Sequence, residues 1–311
     1  MKDVKNALEF VRPSIVYWRY NKKNLLLSAF YCKLYGAKVV FSISSFGDTQ
    51  RFIWTGSRPF ENLRNNFSKS NSLLRKVYSL RFIRDPIKSY FNFLGFYFVD
   101  GIVGIQKKLT GIAPVKKQIA IYNSMVPNFG EGYAHNKPYV VWVANIKSRK
   151  NPEAYISLAQ QLQDEHIDFF MIGEIQQETY KEVLQKDNLP ENLIFLGPKS
   201  IAEVDNILKS SLFLVHTCDP EGFGNNFIQA WFQSKPTITL YFDPDDIIKT
   251  YHLGYHSGSI LQMVKDAKEL IQRPELRNEI GERAKEFAVK NFTLEQNAHK
   301  FESFFLKIAG K

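Results

Sequence analysis

Cysteine is scarce. Cys32 and Cys218 are the only two in 311 residues. They form no disulfide framework and no metal-ligand spacing, which points to a reducing compartment. Long apolar runs are missing too. The closest, Tyr90 to Ile105, is broken by Asn92, Gly95, Asp100 and Gly101, short of the roughly 18 residues a membrane-spanning helix needs. Met1 to Glu9 is polar and charged, unlike the apolar core of a secretory leader. The expectation is a cytoplasmic protein. Six histidines are scattered without an HExxH-like pair, so no metal centre is expected from them. Acidic residues are the minority charge, 31 against 41 Lys and Arg, a net charge of +10. No helix-turn-helix, zinc-finger or RNP pattern accompanies that excess, so no nucleic-acid partner is expected.

The length suits about two domains, and a hydrophobic content of 44% is enough for real cores. Positive charge concentrates in residues 58–88, where eight basic residues face Glu61 and Asp85, a net of +6. Phe60, Leu63, Phe67, Leu73, Leu74 and other apolar residues are interleaved with the charges. Such a stretch fits an anionic membrane surface; the plainer alternative is a solvated helical face.

Strands and helices alternate along the chain. Ser14 to Trp18 reads as a strand, Asn24 to Tyr35 as a helix stopped by Gly36, and Lys38 to Ile43 as a second strand. Val99 to Ile105 and Gln118 to Asn123 complete a first α/β half with a parallel sheet. Met125 to Lys137 is rich in Pro, Asn and Gly and reads as a linker. The expected domains are 1–130 and 138–290, with 291–311 as a terminal helix. In the second half, strands are expected at 139–144, 167–172, 192–196, 211–216 and 237–242. Ser200 and Glu203 form a capping-box pattern at the helix that follows the third of these. Asp243-Pro244-Asp245-Asp246 reads as a turn in which Asp245 or Asp246 caps the next helix, rather than as a metal cluster. His216 reads as a satisfied near-core histidine.

Two loops carry candidate chemistry. The run Ser211 to His216 is followed by Glu221-Gly222-Phe223-Gly224-Asn225-Asn226 and then a helix. A glycine-containing loop between a strand end and a helix start suits phosphate-bearing ligands, because helix N–H groups are free there and the dipole is positive. An ordinary strand-turn-helix is the alternative. The second loop is Asn145-Ile146-Lys147-Ser148-Arg149-Lys150-Asn151-Pro152. Asn151 is expected as N-cap and Pro152 as first helical residue, so Lys150 sits beside a helix N-terminus and makes an anion site.

The wording EGFGNNFIQAW, continued by KPTITLYFDPDDII and HLG, resembles retaining glycosyltransferases of family 4, in a bacterial surface-polysaccharide branch. Glu221 and Gln229 have the spacing of that family's E-x7-E signature, with Gln in the second acidic place. The resemblance implies two Rossmann-like α/β domains of the GT-B type, without a metal or cofactor. It implies a UDP- or GDP-sugar donor bound mostly by the second domain and a glycan or lipid-linked acceptor, at the inner face of the plasma membrane. Glu221 is expected to contact the donor sugar, Lys150 the diphosphate, and Gln229 the ribose. Gly222, Phe223, Gly224, Asn225 and Asn226 are expected around the diphosphate. Gly173 and Lys199 complete the donor side, and Asn145 stands where the family carries Arg, with Arg149 or Lys147 as compensation. The family's opening strand, its Gly-rich loop and a histidine after the second matching strand have no counterpart, so the N-terminal domain is expected to be incomplete. These departures support an alternative: a non-catalytic scaffold or partner subunit with the same fold.

Overall fold

The computed structural model describes residues 2–19, 24–44, 48, 81–111, 115–219 and 221–310. Residues 58–80 of the basic segment, and Ser45 to Gly47 at the place of the family histidine, lie outside the described residues. Contacts divide the chain into two units, Met1–Ile121 with Lys300–Lys311, and Tyr122–His299.

The first unit opens on a helix that the sequence reading did not include, α1 (Lys2–Val11). Among its described side chains only Leu8 is deeply buried, so the polar face dominates the local pattern. Strands β1 (Ile15–Trp18), β2 (Lys38–Ile43), β3 (Gly101–Gly104) and β4 (Gln118–Ala120) form a parallel sheet in that order. Helix α2 (Leu25–Leu34) joins β1 to β2, and α3 (Arg81–Leu94) precedes β3. Gly36 takes φ +73° just past α2, the left-handed stop that glycine adopts without steric cost. Alternation splits β2 between two cores. Val39, Phe41 and Ile43 pack with Leu25, Ala29 and Phe96, while Val40 packs with Val103, Phe304 and Ile308 on the other face. A Cβ on Gly101 would lie 2.6 Å from Ile308 Cδ1, so the last helix, Leu294–Ala309, rests directly on this strand.

In the second unit, β5 (Tyr139–Val143), β6 (Asp168–Ile172), β7 (Leu193–Gly197), β8 (Leu214–His216), β9 (Thr237–Thr239) and β10 (Gly254–His256) form a parallel sheet. Its order is β10-β9-β8-β5-β6-β7. The chain fills one side of β5, then returns to fill the other, so the order reverses between β5 and β8. β5 reads Tyr-Val-Val-Trp-Val without alternation because both faces of a central parallel strand are covered. The connecting helices are α4 (Pro152–Gln161), α5 (Tyr180–Val183), α6 (Ile201–Ser210), α7 (Asn225–Phe232), α8 (Ile247–Thr250), α9 (Ile260–Gln272) and α10 (Pro274–Asn291). Trp142, Tyr155, Phe169 and Met263 belong to one core of this unit.

The expected linker belongs to the second unit. Asn128 donates to Asp205 Oδ2 at 2.9 Å, the Glu131 N–H to Asn206 Oδ1 at 2.8 Å and the Tyr133 N–H to Ser210 Oγ at 2.9 Å. Composition marked the turns, but these bonds to α6 decide where the segment packs. Among the described residues no helix is long and apolar enough to cross a membrane.

Candidate active site

The sheet order reverses between β5 and β8, and in open parallel sheets ligands bind at the strand ends beside such a reversal. That topology brings Lys150 and Glu221 together. Lys150 Nζ donates to Glu221 Oε2, and both side chains are largely buried, 16% and 14% exposed. Arg149 Nη2 lies 4.0 Å from Glu221 Oε1 and is itself more than half exposed. The Gly222 N–H donates to Glu221 Oε1 at 3.3 Å. Burial pushes the Glu221 carboxyl up, but the charge and hydrogen bond of Lys150, with His216 and Cys218, outweigh it and hold the group below the ordinary carboxylate range.

Lys150 is itself held. Thr217, 1% exposed at the end of β8, donates its hydroxyl proton to the Lys150 carbonyl at 2.7 Å and accepts from the Trp142 indole N–H at 2.9 Å. Neither Thr217 nor Trp142 was singled out in the sequence. Thr217 lies next to the EGFG loop in sequence, the only local hint of its role. Asn151 occupies the N-cap of α4, yet it sits in the left-handed region at φ 50° with no side-chain capping bond. The expected side-chain cap is thus absent; the turn of Ser148–Lys150 fixes the backbone instead.

The glycine loop is pinned by aromatic rings. Phe223 is 5% exposed and packs on Tyr122 and Phe292 at centroid distances of 5.3 and 5.5 Å. Gly224 is the N-cap of α7, and a Cβ there would lie 2.5 Å from Asn226 Oδ1. Asn225 Oδ1 accepts from Asn123 Nδ2 at 2.8 Å. Asn226 Nδ2 donates to the Val143 carbonyl at the end of β5 at 2.9 Å, tying α7 to the other side of the reversal.

The remaining candidates fall in different roles. Gln229 is buried and donates to Asp205 Oδ1 at 3.0 Å. Asp205, accepting from Asn128 as well, is pushed up by burial against those two hydrogen bonds. Asn145 is exposed. Gly173 has φ +151°, and a Cβ there would lie 1.9 Å from the Ala144 carbonyl oxygen, so its absence of a side chain allows the loops after β5 and β6 to touch. Lys199 Nζ is 3.4 Å from Glu203 Oε1, beside the capping box of Ser200 and Glu203, which is present as the pattern predicted. The Asp243 turn differs from expectation. Asp243 itself accepts from the N–H groups of Ile248 and Lys249 at 2.9 and 3.1 Å, while Asp245 accepts from Tyr122 Oη at 3.0 Å. His216 is buried as expected, but its Nδ1 has no hydrogen-bond partner; a strand position reveals burial and not bonding. Burial drives its imidazolium pKa down to about 4.

A family model described as glycosyl transferases group 1 matches residues 128–287. An uncharacterized glycosyltransferase of Methanocaldococcus jannaschii is 30% identical over 182 residues, covering 57% of this chain and 47% of that protein. The chain therefore spans about half the length of this curated relative. Among solved structures, Anabaena HepE in complex with UDP is similar with a TM-score of 0.70 at 13% identity, over 98% of this chain and 81% of that one. Sucrose-phosphate synthase from Thermosynechococcus elongatus has a TM-score of 0.72 at 12% identity, over 99% and 76%. At such identities the likeness shows the fold, an α/β architecture of two parallel-sheet domains of the GT-B type. The family model spans just over half of the sequence, including both loops of the candidate site, and the chain belongs to the group 1 glycosyltransferases.

Proposed function

We propose that this chain transfers a sugar from a nucleoside diphosphate donor to a glycan or lipid-linked acceptor in cell-surface polysaccharide synthesis, with retention of configuration, in the manner of family 4. The observation that carries the reading is the buried Lys150–Glu221 pair at the reversal of a parallel sheet, beside the N-termini of α4 and α7. Departure of the diphosphate leaves negative charge. Lys150, Arg149 and the free N–H groups at the two helix starts are arranged to stabilise it without a metal. Glu221 would orient the donor sugar, held in place by Lys150 until the diphosphate claims that ammonium. HepE is seen with UDP and with UDP-glucose, which makes the uridine nucleotide the first donor to try. The basic residues 58–88 would bring the chain to the anionic inner face of a membrane.

A thermal-shift titration with UDP, GDP and ADP, repeated on Lys150→Ala, tests this. A nucleotide that binds only the folded state adds about 2.7 kcal/mol at a hundredfold excess over its Kd. The expected result is a rise in Tm with one nucleotide, lost in Lys150→Ala. No rise with any of the three would favour the scaffold alternative, for which the engagement of Gln229 by Asp205 is the supporting observation.

A further inference from the structure

The end of β8 gathers three side chains whose chemistry the transfer reaction does not use together. A nitrogen of His216, the sulfur of Cys218 and a carboxylate oxygen of Glu221 all lie within 4.8 Å of one another. His216 and Cys218 are 4% and 2% exposed. We propose that His216, Cys218 and Glu221 form a binding site for a thiophilic divalent cation of the zinc or cobalt kind, and that this cation and the Lys150 ammonium compete for the Glu221 carboxylate.

The donor set argues for that class of ion. Imidazole and thiolate select zinc-like ions, whereas magnesium and calcium favour oxygen. Three protein ligands with an open fourth position is a common arrangement for zinc, with bonds of about 2.0–2.3 Å. Ligand atoms around such an ion stand under about 4 Å apart, so modest side-chain rotations close the set. A second observation points the same way: the Nδ1 of His216 is buried without a hydrogen-bond partner, which is costly unless something supplies one.

Lys150 is the opposing feature, because it neutralises Glu221. Binding therefore has two coupled parts. The Cys218 S–H proton leaves to solvent as its sulfur bonds the metal, and the Lys150 ammonium gives up Glu221. A thiol must lose its proton to ligate, so the metal itself has to drive deprotonation. The site is expected to be one of moderate affinity that excludes the Lys150–Glu221 pair while occupied. Inhibition of transfer follows from that exclusion and rests on the proposed function; the binding does not.

Cobalt(II) is the probe, because a cobalt–thiolate bond absorbs in the near ultraviolet. Chelator-treated full-length protein titrated with Co2+ should show a saturable band, lost in Cys218→Ser and retained in Cys32→Ser. Lys150→Met should tighten Co2+ binding by about tenfold or more, because it removes the competing cation. That comparison alters no ligand, so it stands should Cys218→Ser misfold. No band in either the wild type or Lys150→Met, or a band that follows Cys32, overturns the proposal. The readout involves no nucleotide, so a failed UDP titration and a failed cobalt titration are separate results.

Discussion

The two sheets of this protein are both parallel, yet among the described residues the candidate site gathers on the second. In the first unit the strand order follows the chain, β1-β2-β3-β4. Two of its acids bond backbone N–H groups. Asp100 accepts from the Val39 N–H at 2.9 Å and from Lys38 at 3.3 Å, and Asp48 accepts from the Ser44 N–H at 3.1 Å. In the second unit the order reverses between β5 and β8. There the loops after the two strands meet, and residues 71 positions apart, Lys150 and Glu221, become partners. Strand order, more than strand composition, sets the two sheets apart.

The largest test of that contrast is Glu221→Ala. Transfer should fall by about a thousandfold or more with circular dichroism unchanged, whereas Asp100→Asn in the first unit should cost only about 1 kcal/mol of stability. Near-normal turnover by Glu221→Ala would remove the reversal from the chemistry. Next comes Gly173→Ala. With φ +151° and the Ala144 carbonyl oxygen 1.9 Å from the added Cβ, it should lower stability by about 3 kcal/mol, read from the urea midpoint. A loss under about 1 kcal/mol would show that the two loops need no such close approach.

Gln229→Glu restores the family's acid but sets it against Asp205. Burial already holds the Asp205 carboxyl above its usual range, and a second carboxylate raises one of the two further. A group whose folded pKa is raised stabilises below its unfolded pKa and loses that contribution as pH rises through the folded value. The variant should therefore be less stable than wild type by about 2 kcal/mol near neutrality, with a smaller gap at pH 5. An equal gap at both pH values would mean that the new acid points away from Asp205. The smallest effect is expected for Thr217→Val, which leaves the Lys150 carbonyl and the Trp142 N–H without their partner. It should cost about 1–2 kcal/mol and lower kcat/KM about tenfold. Thr217→Ser should recover both. A purely structural role would change stability and leave kcat/KM alone.

Much of the architecture was legible in local pattern. The runs at 139–144 and 167–172 became β5 and β6, each one residue shorter, and the Ser200–Glu203 pair formed its capping box. Gly36 stopped α2 as a glycine in that place should. Short elements were missed: α1, whose apolar face is narrow, and β10, whose three residues only complete a sheet edge. Asp246 takes the N-cap position of α8 without a side-chain bond, and the N–H groups of Ile248 and Lys249 go to Asp243, while Asp245 accepts from Tyr122.

The sequence by itself determined most of the strands and several of the helices, and that an acid-glycine loop and a lysine loop each lie at a strand end. These follow from side-chain period and backbone preference, which act over a few residues. Only the tertiary structure decided that Lys150 meets Glu221, that Thr217 and Trp142 hold the lysine, and that Gln229 is bound by Asp205. Those pairings depend on which strands become neighbours, and strand order is settled by packing the whole chain.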